Sequence, residues 1–253
     1  NFELGFHAEY TTKKEILEGI ADLAEKYKAP VYTHNSESES EVAQCIERTK
    51  VTPTVYMDRL GIFNYGGGFY HCVHMTQNDL DIVKEHNISV ITNPASNLKL
   101  ASGIAPIDHM LKEGINLAIG TDGPASNNCL DMFREMFLVT ALAKYRENDA
   151  SAVDALEVLK MATIGGAKAM NLTDCDVLAE GKEADIIMID LNQPNMQPIH
   201  NIQKNLVYSG SKQNVKLTMV AGKILYENGE FFIGTDAYKI YEKANDIAER
   251  IVK

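Results

Sequence analysis

Short apolar runs alternate along the first 170 residues with segments whose apolar positions recur every three or four residues, and this predicts strands alternating with helices. "FELGF" (2–6), "APVYT" (29–33), "GFYHCV" (68–73), "ISVIT" (88–92) and "INLAI" (115–119) are the predicted strands. Between the first two, Thr12 and Glu15 have the spacing of a capping box, followed by Ile16, Leu17, Ile20, Leu23 and Ala24 on one helical face. After the second, a helix is expected to turn Val42, Cys45 and Ile46 inward, and "TPTVYMDRL" adds a helix with Pro53 at its first position. Thr76 and Asp79 open a helix that buries Leu80 and Val83; Ile107, Met110 and Leu111 mark another, ended by Gly114. Leu130 to Tyr145 reads as a long helix, and the triple glycine at 66–68 as a turn. Strands alternating with helices imply βα units and a parallel sheet, whose strands are nearly continuous apolar runs because both faces are covered.

Beyond helices expected around Ser151–Met170 the texture changes. "ADIIMIDL", "VKLTMVAG" and "KILYENGEFF" are short β segments, with a hairpin turn expected at Asn228-Gly229 and a closing amphipathic helix from about Ala237. The predicted organisation is therefore a βα unit over 1–178, a β subdomain over 179–235 and a terminal helix over 236–253.

Composition narrows the function. A formal net charge of −11, with no basic run, argues against nucleic acid as a partner. No apolar stretch approaches the roughly 18 residues of a membrane span. The four cysteines form no C-x-x-C pair, which fits a reducing compartment and an expected cytoplasmic location. No strand-to-helix turn carries a G-x-G-x-x-G or G-x-x-x-x-G-K motif, so nucleotide cofactors are not indicated. The chain opens at Asn1 within a strand already in progress, which is expected of a processed or fragmentary chain.

Parallel α/β folds carry their chemistry at the carboxyl ends of strands. Here the five predicted strands are followed by His7, His34, His71, Asn93 and Asp122. One strand-end histidine alone is more often a structural residue than a ligand. Five polar ends facing one mouth favour a site, and imidazole with carboxylate is the donor set of a catalytic zinc or similar ion. Glu37, three residues past His34, reads equally as helix-start charge or as a general acid/base one turn beyond a ligand. His86 and His109 are expected to be solvated or structural, and His74 lies beyond a strand tip without an assigned role.

The motifs "HNSES", "YHCVH", "NPASNLKLASGIAP" and "GTDGPASNN", in this order, resemble the amidohydrolase superfamily and within it the methylthioadenosine/S-adenosylhomocysteine deaminase and chlorohydrolase branch. The segments "GKEADIIMIDL" and "MVAGKILYENGEF" resemble the family's β-sandwich. The resemblance implies an α/β fold, a metal-dependent (β/α)8 TIM barrel represented here by strands four to eight, with a small β-sandwich subdomain. It implies metal ligation by His34 and Asp122, catalytic roles for Glu37, His71 and Asp122, and substrate contacts by His7 and Glu37. It also implies one divalent metal ion, zinc or alternatively iron, and hydrolytic deamination of a small adenosine-type purine nucleoside. Guanine, triazines and chlorinated heteroaromatics are the alternative substrates. One departure is plain: the family's H-x-H metal pair is absent, and so is everything before strand four. The expected partners are thus a missing N-terminal segment of the same protein and, for this architecture, a second copy in a homo-oligomer; a non-catalytic remnant is the rival of another class.

Overall fold

The structure, a computed structural model, describes residues 3–252; Asn1, Lys253 and Phe2, the first residue of the predicted strand 2–6, lie outside them. Five strands form one wholly parallel sheet in sequence order: β1 (Leu4–Gly5), β2 (Val31–Asn35), β3 (Gly67–His71), β4 (Ile88–Thr92) and β5 (Leu117–Ile119). The order never reverses, so the carboxyl ends follow one another along a single rim. The connections hold α1 (Lys14–Tyr27), α2 (Glu39–Thr49), α3 (Pro53–Arg59), α4 (Gln77–Glu85), α5 (Pro94–Lys99), α6 (Ile107–Lys112), α7 (Pro124–Asn127) and α8 (Met132–Glu147). After β5 and α8, α9 (Ala155–Lys160) runs through a π turn (Met161–Gly165) into α10 (Gly166–Ala169).

Leu17, Met57, Ile62, Phe63, Phe69, Leu80, Val83, Ile88 and Met110 are buried in one cluster between sheet and helices. Phe63 and Phe69 meet edge to face at 4.7 Å, an arrangement that adds to simple burial. Three details depart from the expectations. Thr12 does not cap α1, because the helix starts after Lys13, one residue further on; its hydroxyl donates to the Ala8 carbonyl in the preceding turn. The capping box forms instead at α2, where Ser38 and Glu41 bond each other's backbone N–H. Ile16, Leu23 and Ile46 face outward, since the buried stripes are narrower than the periodicity suggested. The glycines at 66–68 do more than turn: only Gly66 lies in the turn before β3, at φ 75°. A Cβ on Gly67 would strike the Val31 carbonyl, and one on Gly68 the Tyr32 ring, so both allow β3 to approach β2 closely.

The C-terminal segment forms a four-stranded antiparallel sheet, β6 (Ile186–Ile189), β7 (Val215–Val220), β8 (Lys223–Glu227) and β9 (Glu230–Phe231), in sequence order. A short helix, α11 (Ile202–Lys204), lies between β6 and β7, and α12 (Ala237–Val252) follows the sheet. Asn228 (φ 48°) and Gly229 (φ 98°) supply the two left-handed residues of the β8–β9 hairpin turn, as expected of Asn-Gly. No second antiparallel sheet is present among the described residues. No described helix is long and apolar enough to cross a membrane.

Candidate metal centre at the strand tips

His34 stands near the end of β2 and His71 ends β3, offset by one position because Asn35 pairs with His71. Their rings stack at 5.2 Å with an interplanar angle of 23°. Asp122 follows β5 after Gly120 and Thr121. One ligand atom from each of His34, His71 and Asp122 lies within 4.8 Å of the others, the one such His/Cys/Asp/Glu group among the described residues.

Both imidazoles are oriented from behind. His34 Nδ1 donates to the His7 carbonyl at 2.7 Å, and His71 Nδ1 donates to Asn97 Oδ1 at 2.7 Å. A proton held on Nδ1 leaves a lone pair on Nε2, the tautomer that a ligating histidine requires. Burial is the main influence on His71 and lowers its pKa, only partly offset by Glu37 and the Asn97 hydrogen bond, so the ring is held neutral. For Asp122, burial pushes the carboxyl up. Hydrogen bonds from Ser96, Ser126 and the Gly123 N–H, with His71 nearby, outweigh it and hold the group below its ordinary value. Ser96 Oγ and Ser126 Oγ both donate to Asp122 Oδ2, at 2.6 and 2.7 Å. Two imidazoles that donate from Nδ1 and so leave Nε2 free, beside the Asp122 carboxylate, fit a divalent ion such as zinc, which takes nitrogen and oxygen donors in open sites.

Glu37 reaches the same place. Its Oε2 is 3.7 Å from His71 Nε2, and its Oε1 accepts from Ser102 Oγ at 3.1 Å. Glu41 fixes the backbone beneath it, accepting from Ser36 N at 2.9 Å and Glu37 N at 2.8 Å. His7 is exposed at the mouth, its ring 4.8 Å from that of His34. The Thr11 hydroxyl spends its proton on the Ala8 carbonyl, so the 3.0 Å contact from His7 Nδ1 is donated by the ring. The turn carrying His7 is tied down by Glu9, whose buried carboxylate accepts two bonds from Arg48 Nη2, each 2.9 Å.

The backbone shows where the tips are strained. Ser36, His71, Cys72 and Asp122 all have φ between 50° and 72°, although none is glycine. Each costs on the order of 1–3 kcal/mol and persists only where surroundings over-determine it, a pattern concentrated at functional sites. Four of the five expected strand-end residues and Glu37 thus come together. Asn93 is buried, and its amide approaches the Ile91 carbonyl of its own strand at 3.5 Å. His86 pairs with Asp58 and His109 with Gln77, away from the centre. His74 donates from Nε2 to the Ser102 carbonyl at 2.7 Å, so it braces the loop that reaches Glu37. The sequence reading missed Ser96, Asn97, Ser102 and Ser126. All four lie within the quoted motifs "NPASNLKLASGIAP" and "GTDGPASNN", but nothing there singles them out beyond a density of small polar residues just past two apolar strands.

The chain is similar to known proteins over nearly its whole length. Residues 1–225 match the model of the Amidohydrolase family. The chain is 40% identical over 251 residues to the 5-methylthioadenosine/S-adenosylhomocysteine deaminase of Caldanaerobacter subterraneus subsp. tengcongensis, which covers 99% of this chain and 58% of that protein. A crystal structure of an adenosine deaminase from Xanthomonas campestris with bound zinc superposes with a TM-score of 0.93 at 35% identity, covering 98% of this chain and 57% of that one. A zinc complex of atrazine chlorohydrolase from Arthrobacter aurescens TC1 gives a TM-score of 0.86 at 26% identity, covering 96% and 54%. The chain therefore spans under three fifths of the length of the relatives it matches.

Proposed function

The chain belongs to the amidohydrolase family, and from that premise we propose that its protein is a metal-dependent hydrolytic deaminase of an adenosine-type substrate, 5′-methylthioadenosine or S-adenosylhomocysteine. The observation that carries the proposal is the convergence of His34, His71 and Asp122 ligand atoms within 4.8 Å, beside the Glu37 carboxylate. The substrate class rests on the 40% identity to a deaminase of that specificity. His34 and Asp122, with His71 beside them, are the residues that would hold the ion, zinc by the donor set and by the zinc-bound neighbours.

The ion, when bound, supplies Lewis acidity that brings the pKa of a water toward neutrality. The residues of this chain do the rest. Glu37 hands a proton to the ring nitrogen adjacent to the carbon bearing the amino group, as water oxygen adds to that carbon. Asp122 takes one proton of the attacking water and passes it to the departing nitrogen, and as the carbonyl forms Glu37 recovers the other. The carbon–nitrogen bond breaks, ammonia leaves and a carbonyl remains, so one water is consumed for each ammonia released. His71, neutral and locked by Asn97, orients the attacking oxygen, and His7 at the mouth contacts substrate. Positioned proton transfer of this kind contributes about 10²–10⁴-fold.

The five-stranded arc and the four-stranded sheet are read as parts of larger wholes. Residues 1–178 would form strands four to eight of a (β/α)8 barrel, 179–235 one part of a β-sandwich subdomain, and 236–253 a closing helix. Both ends of the parallel sheet, β1 and β5, lack an outer neighbour among the described strands, and an N-terminal segment of the same protein would supply the remaining barrel strands and metal ligands. A soluble cytoplasmic homo-oligomer is the associated expectation. Ammonia release from 5′-methylthioadenosine by the full-length protein tests the proposal, with guanine and triazines in parallel. Turnover of triazines alone would favour the chlorohydrolase-like reading that the atrazine enzyme supports, and a metal-free, inactive protein would favour a remnant.

A further inference from the structure

One ten-residue segment, from Asn93 to Ser102, touches three groups of the centre: Asp122, His71 and Glu37. Ser96 Oγ donates to Asp122, Asn97 Oδ1 accepts from His71, and Ser102 Oγ donates to Glu37, at 2.6, 2.7 and 3.1 Å. All three of these polar side chains are buried. At the start of the segment, Asn93 makes no side-chain cap to α5.

Its first turn is held by a carboxylate from another element, while His74 braces its far end. Glu135, on α8, is fully buried. Its Oε2 accepts the Ala95 N–H at 3.0 Å and its Oε1 accepts Asn127 Nδ2 at 2.8 Å. Asn127 Nδ2 also donates to the Thr121 carbonyl at 2.6 Å, adjoining Asp122. One buried carboxylate therefore ties the first turn of α5 to the Asp122 loop. Ala95 is the residue before Ser96, and Thr121 the residue before Asp122. The two fixed points sit one residue from the two ends of the Ser96–Asp122 hydrogen bond.

We propose that Glu135 is a positioning residue of the centre, splicing the Asn93–Ser102 segment to the Asp122 loop so that Ser96, Asn97 and Ser102 aim Asp122, His71 and Glu37. The proposal rests on the metal-centre reading given above. A purely structural role, satisfying two buried donors, would make Glu135 matter to stability alone. Positioning makes it matter to the ion as well, because partners behind ligands typically govern about 10–100-fold of metal affinity or activity.

The test uses the full-length protein, zinc as the probe in competition with a chelator, and 5′-methylthioadenosine as substrate. Glu135→Gln keeps the size but offers one acceptor where two donors point. In the folded variant, zinc affinity should fall by about 10–100-fold, and kcat should fall while KM stays within about threefold. Ser96→Ala should weaken zinc in the same sense, and the double variant should lose less than the two single losses combined, as coupled sites do. A folded Glu135→Gln protein with wild-type zinc affinity and kcat, whatever its melting temperature, would overturn the proposal; so would full additivity with Ser96→Ala. If Glu135→Gln does not fold, Asn127→Ala removes one half of the same tie, and wild-type zinc affinity in that variant overturns the proposal equally. A wild-type protein that binds zinc but deaminates nothing sinks the deaminase reading and leaves the zinc comparison to decide the role of Glu135. A wild-type protein that binds no zinc sinks both.

Discussion

The parallel and antiparallel sheets of this chain are both built from β-branched and other apolar runs, yet they end in opposite conditions. Every residue of β5 is buried, as are four of five in β2 and in β4. In the antiparallel sheet only Leu217 is buried, while Ile187, Met188 and Phe231 are more than half exposed. The terminal helix α12 buries no side chain at all and leaves Tyr238, Tyr241, Ile251 and Val252 in the open. The lesson concerns cover. A βα connection brings its own helix back onto the strand, so each parallel strand arrives with a lid. A hairpin brings only another strand, and its second face waits for a layer from elsewhere. The candidate metal centre stands on the covered sheet, where strained tips can be held in place.

The largest expected contrast is catalytic. In the full-length protein, Glu37→Gln, at the tip of the parallel sheet, should lower turnover by about 10²–10⁴-fold while zinc content stays near wild type. Glu227→Gln, at the exposed end of β8, should leave turnover unchanged. Steady-state kinetics and elemental analysis read both, and near-normal turnover in Glu37→Gln would remove its assigned role.

Packing gives the next contrast. Phe69 on β3 is fully buried against Phe63, so Phe69→Ala should cost about 3–5 kcal/mol in a urea melt of this chain. Met188 on β6 is 56% exposed, and Met188→Ala should stay within about 0.5 kcal/mol. A large loss at Met188 would mean that this face is covered in solution, and the comparison would break there.

Zinc sharpens the same line from the other side. At about 100 times its Kd, an ion that binds only the folded state stabilises it by about 2.7 kcal/mol. Amide exchange should therefore slow in β2, β3 and β5, whose tips carry His34, His71 and Asp122, and remain unchanged in β8 and β9. Equal slowing in both sheets would show that they open as one unit.

Much of the parallel half was legible because its signals are local. Apolar runs ended where His34, His71 and Asp122 begin their work, and Thr76 with Asp79 capped α4 as the spacing required. What stayed hidden was long-range. Ser102 meets Glu37 across 65 positions, Ser96 meets Asp122 across 26 and Glu135 meets Ala95 across 40. No periodicity marks a hydroxyl that will be aimed by a loop. The width of the apolar stripes was equally unreadable, since Ile16 and Ile46 continue a helical repeat but lie beyond the neighbour that covers Leu17 and Cys45. Thr12 failed as a cap because the helix begins one residue later than the spacing suggested, with Lys13 at the N-cap position.

The smallest contrast isolates coupling between a helix and its core. Ser38 caps α2 and bonds Glu41, and the helix packs Cys45 into the interior. Asp236 accepts the Tyr238 N–H at 2.8 Å at the start of α12, which packs nothing into the interior. Losing an N-cap typically costs about 1 kcal/mol of helix stability. In α2 that cost must be borne by the whole cooperative unit, because the docked face cannot leave without exposing the core. Ser38→Ala should therefore lower the global unfolding free energy of this chain by about 1 kcal/mol. In α12 the same loss only shifts a local helix–coil balance, which for a helix of 16 residues is marginal without tertiary contacts. Asp236→Ala should thus reduce far-ultraviolet helical signal before the main transition and leave its midpoint where it was. If the two substitutions move the global midpoint equally, α12 is docked in solution, and the division between a covered half and an uncovered one does not hold.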